Sequence, residues 1–215
     1  MAELIAFFSR GEENYVNGEI RTLEKGNTEA AAGMIQKFTG ADLFKIEPQQ
    51  AYSADYNECT AQAQADQRRN ARPELAAYPE SLEPYDVIYL GYPNYWGTMP
   101  MAVFTFLEHF DFTGKTIRPF CTHEGSGMGS SAADIKKLCP GAIIGKALAI
   151  RGGRVNRSEK EIKSWLKYRR KSHECRELEC ISGGKTKRRL CRVFYRSELP
   201  GDAFHRTGCY RKCYI

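Results

Sequence analysis

Short, wholly apolar blocks alternate along the chain with longer stretches in which apolar positions recur every three or four residues. Leu4 to Phe8 (L-I-A-F-F) and Val87 to Leu90 (V-I-Y-L) are blocks of the first kind and predict strands buried on both faces. Asp42 to Ile46 alternates instead, which predicts a strand nearer the sheet edge, ended by Glu47-Pro48. Thr116 to Cys121 and Ala142 to Ile150 supply two more strands, although Pro119 is awkward for a central ladder.

The helical spacing is clearest after Thr28, which reads as an N-cap. Ala30, Ala31, Met34, Ile35 and Phe38 then share one face, and Gly40 ends the run. Further helices are predicted over Tyr56 to Ala71, stopped by Pro73, and over Met101 to Phe110, opened by Pro100. His109 at the end of the latter reads as a surface or capping residue. Ser130 or Ser131 caps a helix that includes Asp134 to Leu138, and Ser158 with Glu161 forms a capping box for Ser158 to Leu166. Between Gly11 and Lys25 there is little periodicity, and the segment reads as a loop.

Strands separated by helices predict an α/β fold with a doubly wound parallel sheet. Right-handed crossovers bring the carboxyl ends of its strands to one edge, where ligands bind in such sheets. Three loops collect there: Ser9 to Thr28, Pro93 to Thr98, and the glycine-rich Thr122 to Gly129. Small hydroxyls and amides at a helix start suit a phosphate. Tyr95 and Trp96, two large aromatics on a short loop, suit a planar ring, and the flexible backbone of the third loop suits the polar edge of a heterocycle. Flavin mononucleotide (FMN) unites the three parts. No nucleophile or paired acid and base stands out, so no catalytic residue is assigned and the flavin is expected to carry the chemistry.

Charge separates the chain into two parts. Residues 1–167 hold 19 Lys and Arg against 21 Asp and Glu, whereas residues 168–215 hold 13 against 5, so the formal charge of +6 comes from the tail. Nucleic acid is therefore not an expected partner of the first part. The cluster Lys185 to Arg192 in the tail could touch nucleic acid or an anionic membrane. Cys59, Cys121 and Cys139 are scattered and read as buried thiols, while five of the eight cysteines crowd the tail. Their spacing, with His173 and His205, fits no familiar zinc pattern, and no metal site is assigned. With no leader-like start and no apolar run of about 18 residues, a cytoplasmic protein with reduced thiols is expected.

The motifs Phe7-Phe8-Ser9-Arg10, Gly26-Asn27-Thr28, Leu90 to Pro100 (L-G-Y-P-N-Y-W-G-T-M-P), Thr105 to Glu108 and Thr122 to Gly127 together resemble the flavodoxin family over about residues 1–167. The resemblance implies a five-stranded parallel sheet of order 2-1-3-4-5 with FMN at the switch point. It also implies that Ser9, Asn27 and Thr28 hold the phosphate. Pro93, Asn94, Tyr95, Trp96 and Gly97 would cover the ring, with Trp96 or Tyr95 stacked on it. Thr122, His123, Glu124, Gly125, Ser126 and Gly127 would line its far edge. In the usual family phosphate loop the two halves are adjacent, whereas here Gly11 to Lys25 intervenes. Arg10 and Gly26 must still meet, or Arg10 must act as a charge partner of the phosphate.

The lack of a further dinucleotide fingerprint leans toward an electron carrier cycling its flavin between oxidised, semiquinone and reduced states, with redox partner proteins or a small planar electron acceptor. A nicotinamide-dependent quinone or flavin reductase and a flavin-free binding module are the alternatives. Residues 168–215, a basic, Cys-rich extension, have no counterpart in the resemblance and read as poorly ordered.

Overall fold

A computed structural model describes residues 2–167, and the tail features named above lie outside the described residues. In chain order the elements are β1 (Ala2–Phe7), β2 (Glu12–Val16), β3 (Glu19–Leu23), α1 (Asn27–Thr39), β4 (Asp42–Lys45), α2 (Tyr56–Arg68) and β5 (Tyr85–Pro93). There follow α3 (Met101–His109), β6 (Thr116–His123), α4 (Ser131–Leu138), β7 (Ile143–Ile144), β8 (Leu148–Arg151), a 3-10 turn (Gly152–Arg157) and α5 (Glu159–Lys167).

The main sheet is parallel, with order β4-β1-β5-β6-β7 and β8 also paired to β6. Counted as one broken strand, β7 and β8 complete the expected 2-1-3-4-5 order. The break has a physical reason. β7 pairs with Thr116 and Ile117 and β8 with Phe120 to His123, so the gap falls opposite Arg118 and Pro119, where the proline has no N–H to give.

Alternation in the buried strands feeds two cores. Leu4, Ala6, Phe8, Ile88, Leu90 and Tyr92 face Val103, Phe106 and Leu107 of α3 and Ile135 of α4. Ile5, Phe7, Tyr89, Phe120 and Ile150 face Ala31, Ala32 and Ile35 of α1 and Ile162 and Trp165 of α5. Helices therefore cover both faces, which leaves the strand ends as the natural place for a site.

The largest departure from the sequence reading is the segment 11–25, which is an antiparallel hairpin of β2 and β3 rather than a loop. Asn17 (φ 53°) and Gly18 (φ 97°) form its turn, a pair suited to the left-handed angles of a two-residue hairpin. Three expected caps also differ. α1 begins at Asn27 with Gly26 as N-cap, so Thr28 lies inside the helix. Ser130 does hold the N-cap position of α4, but its hydroxyl donates to Asp134 rather than accepting a helix N–H, and the Ser131 hydroxyl donates to the Met128 carbonyl. The Ser158 hydroxyl turns back to the Arg154 carbonyl. His109 stacks on Tyr78 with ring centroids 3.9 Å apart.

Candidate functional site

Ser9 lies two residues beyond the end of β1, and the hairpin that follows returns the chain to the same point. A Cβ on Gly26 would lie 2.3 Å from both the Ser9 Oγ and the Arg10 carbonyl oxygen, so the two halves of the interrupted loop are pressed together there. Only glycine permits that approach. Ser9 Oγ then accepts the Glu29 N–H at 3.0 Å, supplying from just beyond β1 the cap that the helix lacks locally. The Thr28 hydroxyl is buried against that of Thr122, 2.7 Å away, which ties the helix start to β6. What faces outward is the start of α1 with the N–H groups of Asn27 and Thr28, a positive dipole end with donors to spare.

Arg10 is placed differently from a phosphate clamp. Its Nη1 donates to the carbonyls of Ser53 (2.9 Å) and Ala54 (3.1 Å), and its Nη2 donates to the Glu13 carbonyl. Its buried Nε has no hydrogen-bond partner. The guanidinium thus clamps the hairpin base to the segment before α2, and it lines the cavity from there. Glu13 completes the clamp by accepting the Tyr56 N–H at 2.9 Å, a carboxylate at the positive end of α2.

The second loop is a tight turn closed by reciprocal backbone bonds between Tyr95 and Thr98, with Trp96 at φ 52° and Gly97 at φ 86°. Tyr95 and Trp96 part company here. Tyr95 packs inward, 6.0 Å from the Phe8 ring and 6.2 Å from Tyr52, and burial pushes its hydroxyl far above the ordinary phenol value. Trp96 is 51% exposed, held by its Nε1 to the Thr60 carbonyl at 2.9 Å. Tyr95 is thus only partly exposed and packs on the core beneath the loop, whereas Trp96 is exposed; both border the cavity described below. The Trp96 carbonyl accepts from Gln67 Nε2 at 3.1 Å, so α2 holds that turn from below.

Asn94 joins the second loop to the third. Its N–H donates to the Thr122 carbonyl, its Nδ2 to the Gly127 carbonyl, and its Oδ1 accepts the Gly97 N–H. Gly127, within the third loop, is thereby tied to Asn94. His123 Nδ1 accepts the Gly125 N–H at 3.0 Å, which leaves the ring proton of the neutral imidazole on Nε2. Partial burial presses its pKa below the ordinary value, with Glu124 opposing and Arg151 adding to the shift. Glu124 faces the hairpin: its carboxylate accepts the N–H groups of Gly153 (2.6 Å) and Asn17 (3.2 Å).

A cavity of about 590 Å³ is lined by Ser9, Arg10, Asn27 and Thr28, by Pro93 to Gly97, and by Thr122 to Ser126; Gly127 is the one expected residue outside it. That volume falls within the range of about 300–1,000 Å³ common to small-molecule sites. Asn14, Tyr15, Tyr56, Cys59, Thr60 and Ala63 also line it, and the sequence reading did not include them. The Asn-Gly pair at 17–18, flanked by strand-forming residues, was the available signal for the first two. Among the described residues no group of three or more His, Cys, Asp and Glu is arranged to hold a metal, and no helix is long and apolar enough to cross a membrane.

No curated protein matches the chain. Among solved structures it is similar to a candidate flavoprotein from Bacteroides eggerthii, at 29% identity over 77% of this chain and 95% of that one, with a TM-score of 0.61. A second candidate flavoprotein, from Bacteroides uniformis, has 27% identity over 78% and 98%, with a TM-score of 0.62. A flavoprotein from Lactobacillus acidophilus, solved in complex with FMN, shares the fold at 17% identity over 77% and 99%, with a TM-score of 0.54. The family profile described as Flavodoxin matches residues 23–169, well over half of the 215. The chain belongs to the Flavodoxin family.

Proposed function

We propose that the chain binds FMN in the cavity at the carboxyl ends of β1, β5 and β6 and serves as an electron-transfer protein. The observation that carries this reading is the convergence of three chemically distinct walls on one cavity: the α1 N-terminus, the exposed Trp96 ring, and the Thr122 to Ser126 backbone. The donor set fits the cofactor. Its phosphate would meet the N–H groups of Asn27 and Thr28 and the Asn27 amide, neutral donors on a positive dipole end, while the Ser9 hydroxyl fixes the helix start. Its ring would lie against Trp96, and its polar edge against the third loop. When bound, the flavin supplies one- and two-electron redox chemistry.

The chain's own part is to orient that ring, shield one face and leave an edge for a partner. Thr28 and Thr122 lock the phosphate wall to the strand that carries the third loop, and Asn94 locks that loop to the Trp96 turn. The walls are therefore braced before a ligand arrives, which lowers the cost of ordering them.

Reconstitution tests the reading. The purified chain incubated with FMN and desalted should show an oxidised-flavin spectrum with bound cofactor near one per chain; a colourless product contradicts it. Rapid mixing of the loaded protein with NADH or NADPH then separates carrier from reductase. A carrier keeps its colour, and fast bleaching by either nucleotide marks the enzyme.

A further inference from the structure

His123 lines the cavity on the loop opposite Trp96, and its ring is held in one tautomer. With Nδ1 accepting from Gly125, the proton is on Nε2, which has no protein partner among the described residues. Its charged neighbours are Glu124 on the same loop and Arg151 on β8. Glu124 is engaged by the N–H groups of Gly153 and Asn17 and by Arg151 Nε at 3.5 Å. No carboxylate hydrogen-bonds the imidazole, and Glu124, whose charge favours the imidazolium, is itself engaged by Arg151, so a charge gained there is only partly balanced beside the cavity.

We propose that His123 meets the polar edge of the bound flavin, and that its Nε2 proton and acid-form charge make the site favour reduced over oxidised FMN. The inference rests on the FMN reading above. Oxidised FMN that takes up two electrons and one proton gains one negative charge, spread over the polar edge of its ring. A neutral Nε2–H donates to that edge in either state, whereas an imidazolium attracts only the charged one. By linkage, binding the reduced form raises the proton affinity of His123, and lowering the pH raises the preference for the reduced form by the same factor. An opposite charge within about 4–6 Å moves a pKa by about 1–3 units, so the effect is on the order of tenfold or more.

The test uses the full chain loaded with FMN, with dithionite as reductant. Oxidised-FMN affinity comes from fluorescence quenching, and the reduced-over-oxidised preference from the midpoint potential against that of free FMN measured alongside. Wild type, H123Q and H123K are compared at pH 5 and pH 8. Between pH 8 and pH 5 the wild-type preference should rise about tenfold more than that of H123Q, or about 30 mV in a two-electron potential. H123K should exceed H123Q in this preference by a similar factor at both values, each preference being read against that variant's own affinity for oxidised FMN. Parallel behaviour of wild type and H123Q overturns the proposal, as does an H123K no different from H123Q. Loss of oxidised-FMN binding in both variants also overturns it, assigning His123 to loop structure instead. A wild type that binds no FMN sinks the parent reading, and is recognised before any variant is compared.

Discussion

Ser9 Oγ accepts the backbone N–H of Glu29 at 3.0 Å, across twenty residues of sequence and a whole β-hairpin. The cap of α1 is thus borrowed from just beyond β1, and the same contact fixes the helix start proposed to face the phosphate. Ser9→Ala should cost the unliganded protein about 0.5–2 kcal/mol, the usual loss for a missing cap, and should weaken FMN binding. Urea denaturation and a flavin titration on the same preparation measure both. An unchanged urea midpoint would show that the cap contributes nothing.

Much of this architecture was readable in the sequence because it depends on local pattern. The apolar blocks at 4–8 and 87–90, with helical spacing between strands, require a parallel sheet with two covered faces, and the motif loops lie at its carboxyl edge. What escaped depends on contacts between distant residues. Nothing in the local sequence at 26–29 says that Ser9 replaces Thr28 as the capping group, nor that Phe8 and Tyr52 draw Tyr95 inward while Trp96 stays out. The hairpin is another matter. Its Asn17-Gly18 turn was visible, but β3 is mostly exposed and carries no buried stripe to announce a strand.

Trp96 is held in a left-handed conformation, φ 52°, which costs an aromatic residue about 1–2 kcal/mol. Trp96→Gly relieves that strain and removes the hydrogen bond to the Thr60 carbonyl, worth about 1 kcal/mol. The two nearly offset. The unliganded variant should therefore match wild type in thermal stability while losing FMN affinity about tenfold or more, since stacking on an aromatic contributes about 1–3 kcal/mol. A large loss of stability with unaltered affinity would reverse the roles assigned to this residue.

Glu124 fastens the hairpin tip to the turn after β8 through Asn17 and Gly153, while Arg10 and Glu13 fasten its base to the start of α2. Glu124→Ala leaves the tip only the long bond from Asn17 Nδ2 to the Gly153 carbonyl, 3.4 Å, and leaves the base untouched. Amide hydrogen exchange should quicken in residues 14–20 and stay unchanged in β5 and β6. Equal protection of the tip in variant and wild type would mean that the carboxylate is not its anchor.

Burial pushes the Cys121 and Cys139 thiols up to about 12, and burial with the Glu3 carboxylate pushes the Tyr89 hydroxyl up to about 12. Each is an acid whose neutral form the fold favours, so the unfolded chain ionises first, near about 8.5 for thiols and about 10 for the phenol. Stability from these groups is complete below those values and is lost as pH rises through them toward 12, by at most about 1.4 kcal/mol per group per pH unit. The urea midpoint should hold from pH 7 to 8 and fall steadily from pH 9 to 11. A midpoint that stays level across that range would show that the three groups ionise freely in the folded protein.

In the function proposed above, one cavity takes a phosphate at one end and a flat ring at the other. Titrating the cofactor-free protein with FMN and with riboflavin, which lacks the phosphate, separates the two ends in one experiment. FMN should bind one per chain, and riboflavin at least about tenfold more weakly, because charge-assisted bonds to the α1 N-terminus are worth about 1.5–3 kcal/mol. Equal binding of the two, or no binding of either, would contradict the proposed function.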